Sequence, residues 1–145
     1  MNLQHNISLK PYNTFGIDVK AKRFISVDSI KSLKEVLTFE KDVFILSGGS
    51  NLLLTKDIDK LVVHINILGK QVEHLNENEA IITVNAGENW HEFVLWCIEN
   101  NFGGLENLSL IPGYVGSCPI QNIGAYGVEV KDCITEVSFI EIATG

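Results

Sequence analysis

The sequence predicts a mixed chain of the α+β class. Three observations predict it. Two segments, 30–39 and the run that opens at Asn89, repeat apolar residues at helical spacing. Six short runs rich in Val, Ile and Phe read as strands bounded by turn residues. A third kind of segment, from Leu105 to Gly127, is apolar yet has no period at all.

Taken in order, Phe24-Ile25-Ser26-Val27 reads as a strand. Asp28 or Ser29 can cap a helix from about Ile30 to Phe39, with Ile30, Leu33 and Leu37 on one face. Val43-Phe44-Ile45-Leu46 is a second strand, running directly into Ser47-Gly48-Gly49-Ser50-Asn51. Leu61 to Ile65, Gln71 to Leu75 and Ala80 to Asn85 follow as strands, with Glu77-Asn78-Glu79 as the turn between the last two. Asn89 caps the clearest helix, with Glu92 three residues on as in a capping box. Its stripe is Trp90, Phe93, Val94, Cys97 and Ile98, and Gly103-Gly104 is expected to end it. Ile134 to Ile142 reads as a last strand whose partner is not in the chain.

Composition narrows the function classes. The 145 residues fit one domain, and 46% hydrophobic against 20% charged residues supports a packed core. Net charge is −7, with 11 Lys and Arg in all; Arg23 is the one arginine, and none of the 11 falls between Gln71 and Val130. Nucleic acid and anionic membrane surfaces are poor partners for such a chain. No run approaches the length of a membrane span, and Met1 to Lys10 lacks the apolar core of a signal peptide, so the cytoplasm is the expected compartment. Cys97, Cys118 and Cys133 show no C-x-x-C spacing, and His5, His64, His74 and His91 share no ligand spacing, so no metal site is expected. Cys97 reads as core, Cys118 as a packed side chain or a reactive one, His64 as hydrogen-bonded core and His91 as surface.

Two glycine segments carry the chemistry. In the first, Gly48, Gly49, Ser50 and Asn51 follow a strand, where small residues let successive N–H groups approach an anion. The same residues also suit a plain tight turn. There is no G-x-x-x-x-G-K-[ST] and no G-x-G-x-x-G opening a helix, which excludes a P-loop and leaves a Rossmann site unsupported. In the second, Leu110 to Gly127, glycines at high density let the main chain lie against a planar ligand. Ile120 and Ile123 are placed to pack on a ring while free N–H groups meet its polar edge. A long structural loop is the alternative. With no Lys or Arg nearby in sequence, an anionic ligand here has to be met by backbone amides.

These segments also carry a resemblance. Asn13-Thr14-Phe15-Gly16, Leu46-Ser47-Gly48-Gly49-Ser50-Asn51-Leu52-Leu53, Ala86-Gly87-Glu88-Asn89-Trp90 and Gly104-Leu105-Glu106-Asn107-Leu108 resemble the N-terminal part of the UDP-N-acetylenolpyruvoylglucosamine reductase family. The strongest match is Ile111-Pro112-Gly113-x-Val115-Gly116-Ser117-x-Pro119-Ile120-Gln121-Asn122-Ile123-Gly124-Ala125-Tyr126-Gly127. Together they span nearly the whole chain. The wider group is the vanillyl-alcohol-oxidase type of FAD-binding fold.

The resemblance implies an α+β FAD-binding domain over residues 1–145, made of two small α/β subdomains with FAD between them. The second subdomain is expected to be truncated at the C-terminus and the substrate-binding domain absent. It implies that Gly48, Gly49, Ser50, Asn51 and Leu52 meet the FAD pyrophosphate. Pro112, Gly113, Gly116, Ser117, Ile120, Gly124 and Tyr126 then lie along the flavin and its linker. NADPH reduces FAD in the family, and the reduced flavin passes hydride to the enolpyruvyl double bond, giving UDP-N-acetylmuramate. The family's catalytic residues match positions beyond Gly145, so no catalytic residue is assigned, and the UDP-sugar is expected to bind only with the missing C-terminal part. Relatives with covalent flavin often carry a histidine where this chain has Ser50, so non-covalent FAD is expected. The alternatives are a non-catalytic or vestigial flavin-binding module and another oxidoreductase of the same fold.

Overall fold

A computed structural model describes residues 2–144; the outermost residues of the expected 1–145 span, Met1 and Gly145, lie outside the described residues. The chain forms two compact units, Met1–Ile67 with Ser138–Gly145, and Leu68–Val137.

The first unit is built on a four-stranded sheet. Its strands are β1 (Gln4–Ser8), β2 (Lys20–Val27), β3 (Val43–Leu46) and β4 (Ile58–Ile65), in the order β1-β2-β4-β3. β1 runs antiparallel to β2, while β2 and β3 both run parallel to β4. Leu61 to Ile65 are all buried, as expected of a central parallel strand covered on both faces. Leu9, Ala21, Phe24, Leu46, Leu54 and Val62 form one core cluster.

Helix α1 (Ile30–Phe39) has the expected bounds because its start is fixed locally. The Ser29 hydroxyl accepts the Ser32 N–H, and the Ser32 hydroxyl accepts the Ser29 N–H, each at 3.2 Å. Leu33, Val36 and Leu37 face inward, whereas Ile30, expected on that face, is exposed at the first turn.

The second unit begins with the hairpin β5 (Lys70–His74) and β6 (Ala80–Val84). Helix α2 (Trp90–Glu99) follows, capped by Asn89, whose side chain accepts the Glu92 N–H. Trp90, Phe93, Val94 and Cys97 are buried with Leu108, Val115, Cys118 and Val130. Ile98, expected in the stripe, is half exposed because it lies at the stripe's rim, about 80° around the helix from Trp90.

The expected Gly103-Gly104 stop is a correction. Asn101 ends the helix, in the left-handed region at φ 62. Phe102 N–H bonds Cys97 C=O at 2.8 Å and Asn101 N–H bonds Ile98 C=O at 3.0 Å, the paired bonds of a Schellman motif. The Phe102 ring rests 5.9 Å from that of Trp96, supplying its apolar contact.

The aperiodic stretch and the residues just after it form a string of short pieces. Single 3₁₀ turns occupy Glu106–Leu108, Val115–Ser117 and Val130–Asp132; α3 is Cys118–Gln121, and β7 (Gly124–Ala125) pairs with β8 (Val128–Glu129). Tyr126 and Gly127, at φ 54 and 80, form the two-residue turn between them, as a type I′ hairpin requires. The expected strand from Ile134 to Ile142 is absent: these residues are irregular, and no strand among the described residues pairs with them. Alternating apolar residues cannot hold a strand whose N–H and C=O groups have no ladder.

Candidate functional site

In the first unit, the connection between the parallel strands β3 and β4 holds Gly48, Gly49, Ser50, Asn51 and Leu52. It leaves the carboxyl end of β3, the place where parallel sheets bind ligands. Among the described residues, the amides of Gly48, Gly49, Ser50 and Asn51 donate no hydrogen bond. The buried hydroxyl of Ser47 also makes none. A buried polar atom without a partner costs free energy unless something else satisfies it. Four consecutive unspent N–H donors beside an unpaired hydroxyl fit an anionic oxygen-rich group such as a pyrophosphate. Ser50 is half-buried and Asn51 exposed.

Gly49 is also a packing position. It is buried at φ 62, and a Cβ would lie 2.0 Å from Tyr12 O and 2.9 Å from Asn13 Cα. The missing side chain is thus required by the chain itself. Thr14 N–H bonds Gly49 C=O at 3.3 Å. Asn13 holds this partner segment in shape: its Nδ2 donates to Leu9 C=O and Ile17 C=O, and its Oδ1 accepts Ile17 N–H.

In the second unit, segment 110–127 spends several of its amides on other groups of the protein, which narrows the expected free N–H edge. Val115 bonds Glu88 C=O, Gly116 bonds Ala86 C=O, Ser117 bonds Tyr114 C=O, and Ile123 bonds Cys118 C=O. The amides of Ile111 and Gly113 donate to nothing among the described residues. Gly116 is small because a Cβ would come 2.6 Å from Ala86 Cβ, and Gly124 because one would come 3.0 Å from Val128 O. The Ser117 hydroxyl donates to Tyr114 C=O at 2.8 Å.

The apolar side chains divide. Ile123 turns into the core rather than toward a ligand. Ile120 and Tyr126 stand 85% and 89% exposed, and Pro112 is also exposed. Leu110, 77% exposed, is in the left-handed region at φ 63, as is Tyr126.

Three groups were invisible as site components in the sequence. His91, expected at the surface, is half-buried; its Nδ1 accepts Leu110 N–H at 3.2 Å and pairs with the Ser109 hydroxyl at 3.0 Å. Asn122 has a buried Oδ1 with no partner among the described residues and a left-handed φ of 42. Glu88 faces Lys70. No sequence spacing marks any of these, because each depends on a contact distant along the chain.

Two of the three cysteines are packing groups, and Cys133 is exposed. Cys97 and Cys118 are buried, and burial pushes each thiol up to about 11. Among the described residues no cluster of His, Cys, Asp or Glu is arranged to hold a metal ion, and no helix is long and apolar enough to cross a membrane.

Comparison with known proteins gives consistent matches. The model of the FAD binding domain family matches residues 21–145. A UDP-N-acetylenolpyruvoylglucosamine reductase of Flavobacterium johnsoniae is 56% identical over 99% of this chain and 43% of its own length. The Pseudomonas putida reductase of the same name is 47% identical over 98% of this chain and 43% of its own. The crystal structure of the Thermus caldophilus UDP-N-acetylenolpyruvylglucosamine reductase superposes with a TM-score of 0.71 at 25% identity, covering 91% of this chain and 46% of that one. The chain thus spans less than half the length of these relatives.

Proposed function

The chain belongs to the FAD binding domain family, and on that premise we propose that it is the cofactor-binding part of an NADPH-dependent reductase converting UDP-N-acetylglucosamine enolpyruvate to UDP-N-acetylmuramate. The observation that carries the cofactor reading is the run of unspent amides from Gly48 to Asn51 beside the orphaned Ser47 hydroxyl. The substrate reading is supported by the identity to reductases of that name along nearly the whole chain.

In this reading Gly48, Gly49, Ser50, Asn51 and Leu52 hold the pyrophosphate of FAD through main-chain N–H groups. Two formal negative charges are met by dipoles rather than by lysine or arginine. Pro112, Gly113, Gly116, Ser117, Ile120, Gly124 and Tyr126 form the flavin side. There the glycines keep the backbone close-packed, and exposed Ile120 and Tyr126 supply apolar contact. When bound, FAD supplies hydride transfer from NADPH to the enolpyruvyl double bond. This chain's residues bind and orient the cofactor without covalent attachment, and their exposed apolar groups exclude water from it. The proton donor and the groups that polarise the substrate carboxylate belong to the remainder of the reductase. NADPH and nucleotide sugars are cytoplasmic metabolites, and the cytoplasm is the compartment that goes with this activity and with cell-wall precursor synthesis.

Assaying NADPH oxidation with the enolpyruvyl sugar tests the reading. The complete protein of which this chain is read as the N-terminal part is expected to form UDP-N-acetylmuramate. Binding of FAD without substrate-dependent oxidation by that complete protein would overturn the substrate assignment and leave a flavin-binding module.

A further inference from the structure

The second unit contains two cations, Lys70 and Lys131, and both are engaged by carboxylates of the same unit. Lys131 pairs with Glu129 at the surface. The Lys70 pair is different, because it is sheltered: side-chain exposure is 23% for Lys70 and 13% for Glu88. Lys70 Nζ donates to Glu88 Oε2 at 2.5 Å, and Gly69 N–H donates to Glu88 Oε1 at 2.7 Å. The carboxylate therefore grips the start of β5 with both oxygens. Lys70 also sits 5.9 Å above the Trp96 ring of α2, within cation–π range.

What Glu88 holds on its other side is segment 113–116. Its C=O accepts Val115 N–H at 2.9 Å. On either side of it, Ala86 C=O accepts Gly116 N–H at 3.0 Å and Trp90 N–H donates to Gly113 C=O at 3.0 Å. Asn89 and Tyr114 form an isolated antiparallel bridge between the same segments. Segment 86–90 is thus the backing strip of the loop that carries Gly113, Gly116 and Ser117. One end of the strip is fixed by the Asn89 cap of α2. The preceding residues are fixed by the Glu88 side chain and by Asn85, whose N–H bonds Gly69 C=O at 3.0 Å and whose Nδ2 bonds Leu68 C=O at 2.9 Å.

We propose that the Lys70–Glu88 pair is a positioning latch that sets the conformation of the 113–116 loop and, through it, the fit of the flavin. The inference rests on the reading of that loop as the flavin side of the site. Charged, sheltered hydrogen bonds are the stronger ones, and both Glu88 oxygens are used. Burial pushes the Glu88 carboxyl upward, but the bonds from Lys70 and Gly69 outweigh it and hold the group below the usual carboxylate range. The carboxylate is accordingly charged at neutral pH, as a latch requires. Neither residue reaches the cofactor in this account; they act through main-chain bonds of the loop.

The test uses three substitutions in the 145-residue chain and two readouts. Lys70→Met keeps the apolar stem on Trp96 and removes the charge. Glu88→Gln keeps the acceptor for Gly69 and removes the charge. Lys70→Arg keeps the cation. Amide hydrogen exchange at Val115 and Gly116 is expected to speed up in Lys70→Met and Glu88→Gln but not in Lys70→Arg. Exchange at the amides of Asn100 and Phe102, at the far end of α2, is expected to stay at the parent rate, which separates local release from global unfolding. FAD titration is expected to show about tenfold weaker binding for the two neutralised variants, the size of one lost charged hydrogen bond, with a shifted visible band of the bound flavin. Unchanged exchange at Val115 and Gly116 in folded Lys70→Met overturns the latch whatever the chain does with FAD. A parent chain that binds no FAD overturns the functional reading instead, and the exchange result still decides the latch.

Discussion

The carbonyl oxygen of Tyr12 lies 2.0 Å from the point where a Cβ on Gly49 would stand, so these two residues exclude a side chain at position 49. Tyr12 has little room to yield. Its ring lies 5.0 Å from both Phe24 and His64, packed against the core of the first sheet. The Asn13-Thr14-Phe15-Gly16 run and the Gly48-Gly49 loop are therefore two sides of one contact.

Gly49→Val should consequently destabilise the chain itself. A left-handed residue with a backbone clash costs about 2 kcal/mol or more, combining the chirality and overpacking penalties. Urea unfolding measured without FAD should show the loss, while Lys131→Ala, at an exposed pair, should shift it little. Equal midpoints for Gly49→Val and the parent would contradict the packing account.

Ser47→Ala separates fold from binding by sign. Removing a buried hydroxyl that has no partner should leave the free chain as stable as the parent or gain about 1 kcal/mol. The same change should weaken FAD binding several-fold, since the hydroxyl is then lost as a donor to the phosphate oxygens. Loss of stability in the absence of FAD would show that the hydroxyl is already satisfied by the protein.

Acid should weaken the first unit through His64. Burial lowers its pKa below the ordinary 6.5. The unfolded chain therefore takes up a proton at a pH where the folded chain does not. This contribution is fully present above 6.5 and is lost as pH falls from there through the lowered folded value. Urea midpoints across that window should fall in the parent and flatten in His64→Gln. A parent midpoint that rises on acidification would contradict the sign.

Much of this was legible in the sequence, and the misses share a cause. The bounds of α1 and of β3 follow from local signals: the Ser29 cap and a four-residue apolar run ended by Ser47-Gly48. The strand expected at Ile134 to Ile142 failed because alternation reports a face and not a ladder partner. Gly103-Gly104 looked like the stop of α2, but Asn101 can also adopt the left-handed angle and comes first. The sequence marks the glycines at 49 and 116 as positions where a ligand approaches the backbone, and in the structure protein atoms pack there. What approaches them, Tyr12 and Ala86, is a tertiary fact that no local pattern contains.

FAD should be released without covalent residue. The position after the paired glycines is Ser50, and the cysteine of the second segment, Cys118, is buried with its thiol pushed up to about 11, which leaves little thiolate to attack the flavin. Acid precipitation of the loaded protein should leave a colourless pellet and a yellow supernatant. A yellow pellet would contradict non-covalent binding.

The most direct test of the central claim is the visible absorbance spectrum of the 145-residue chain after incubation with FAD and gel filtration. The account predicts that the flavin bands co-elute with the protein and disappear from that fraction when FAD is replaced by riboflavin, which lacks the pyrophosphate that the Gly48–Asn51 amides are arranged to hold. A folded, colourless protein peak after FAD, or riboflavin retained as well as FAD, would contradict it.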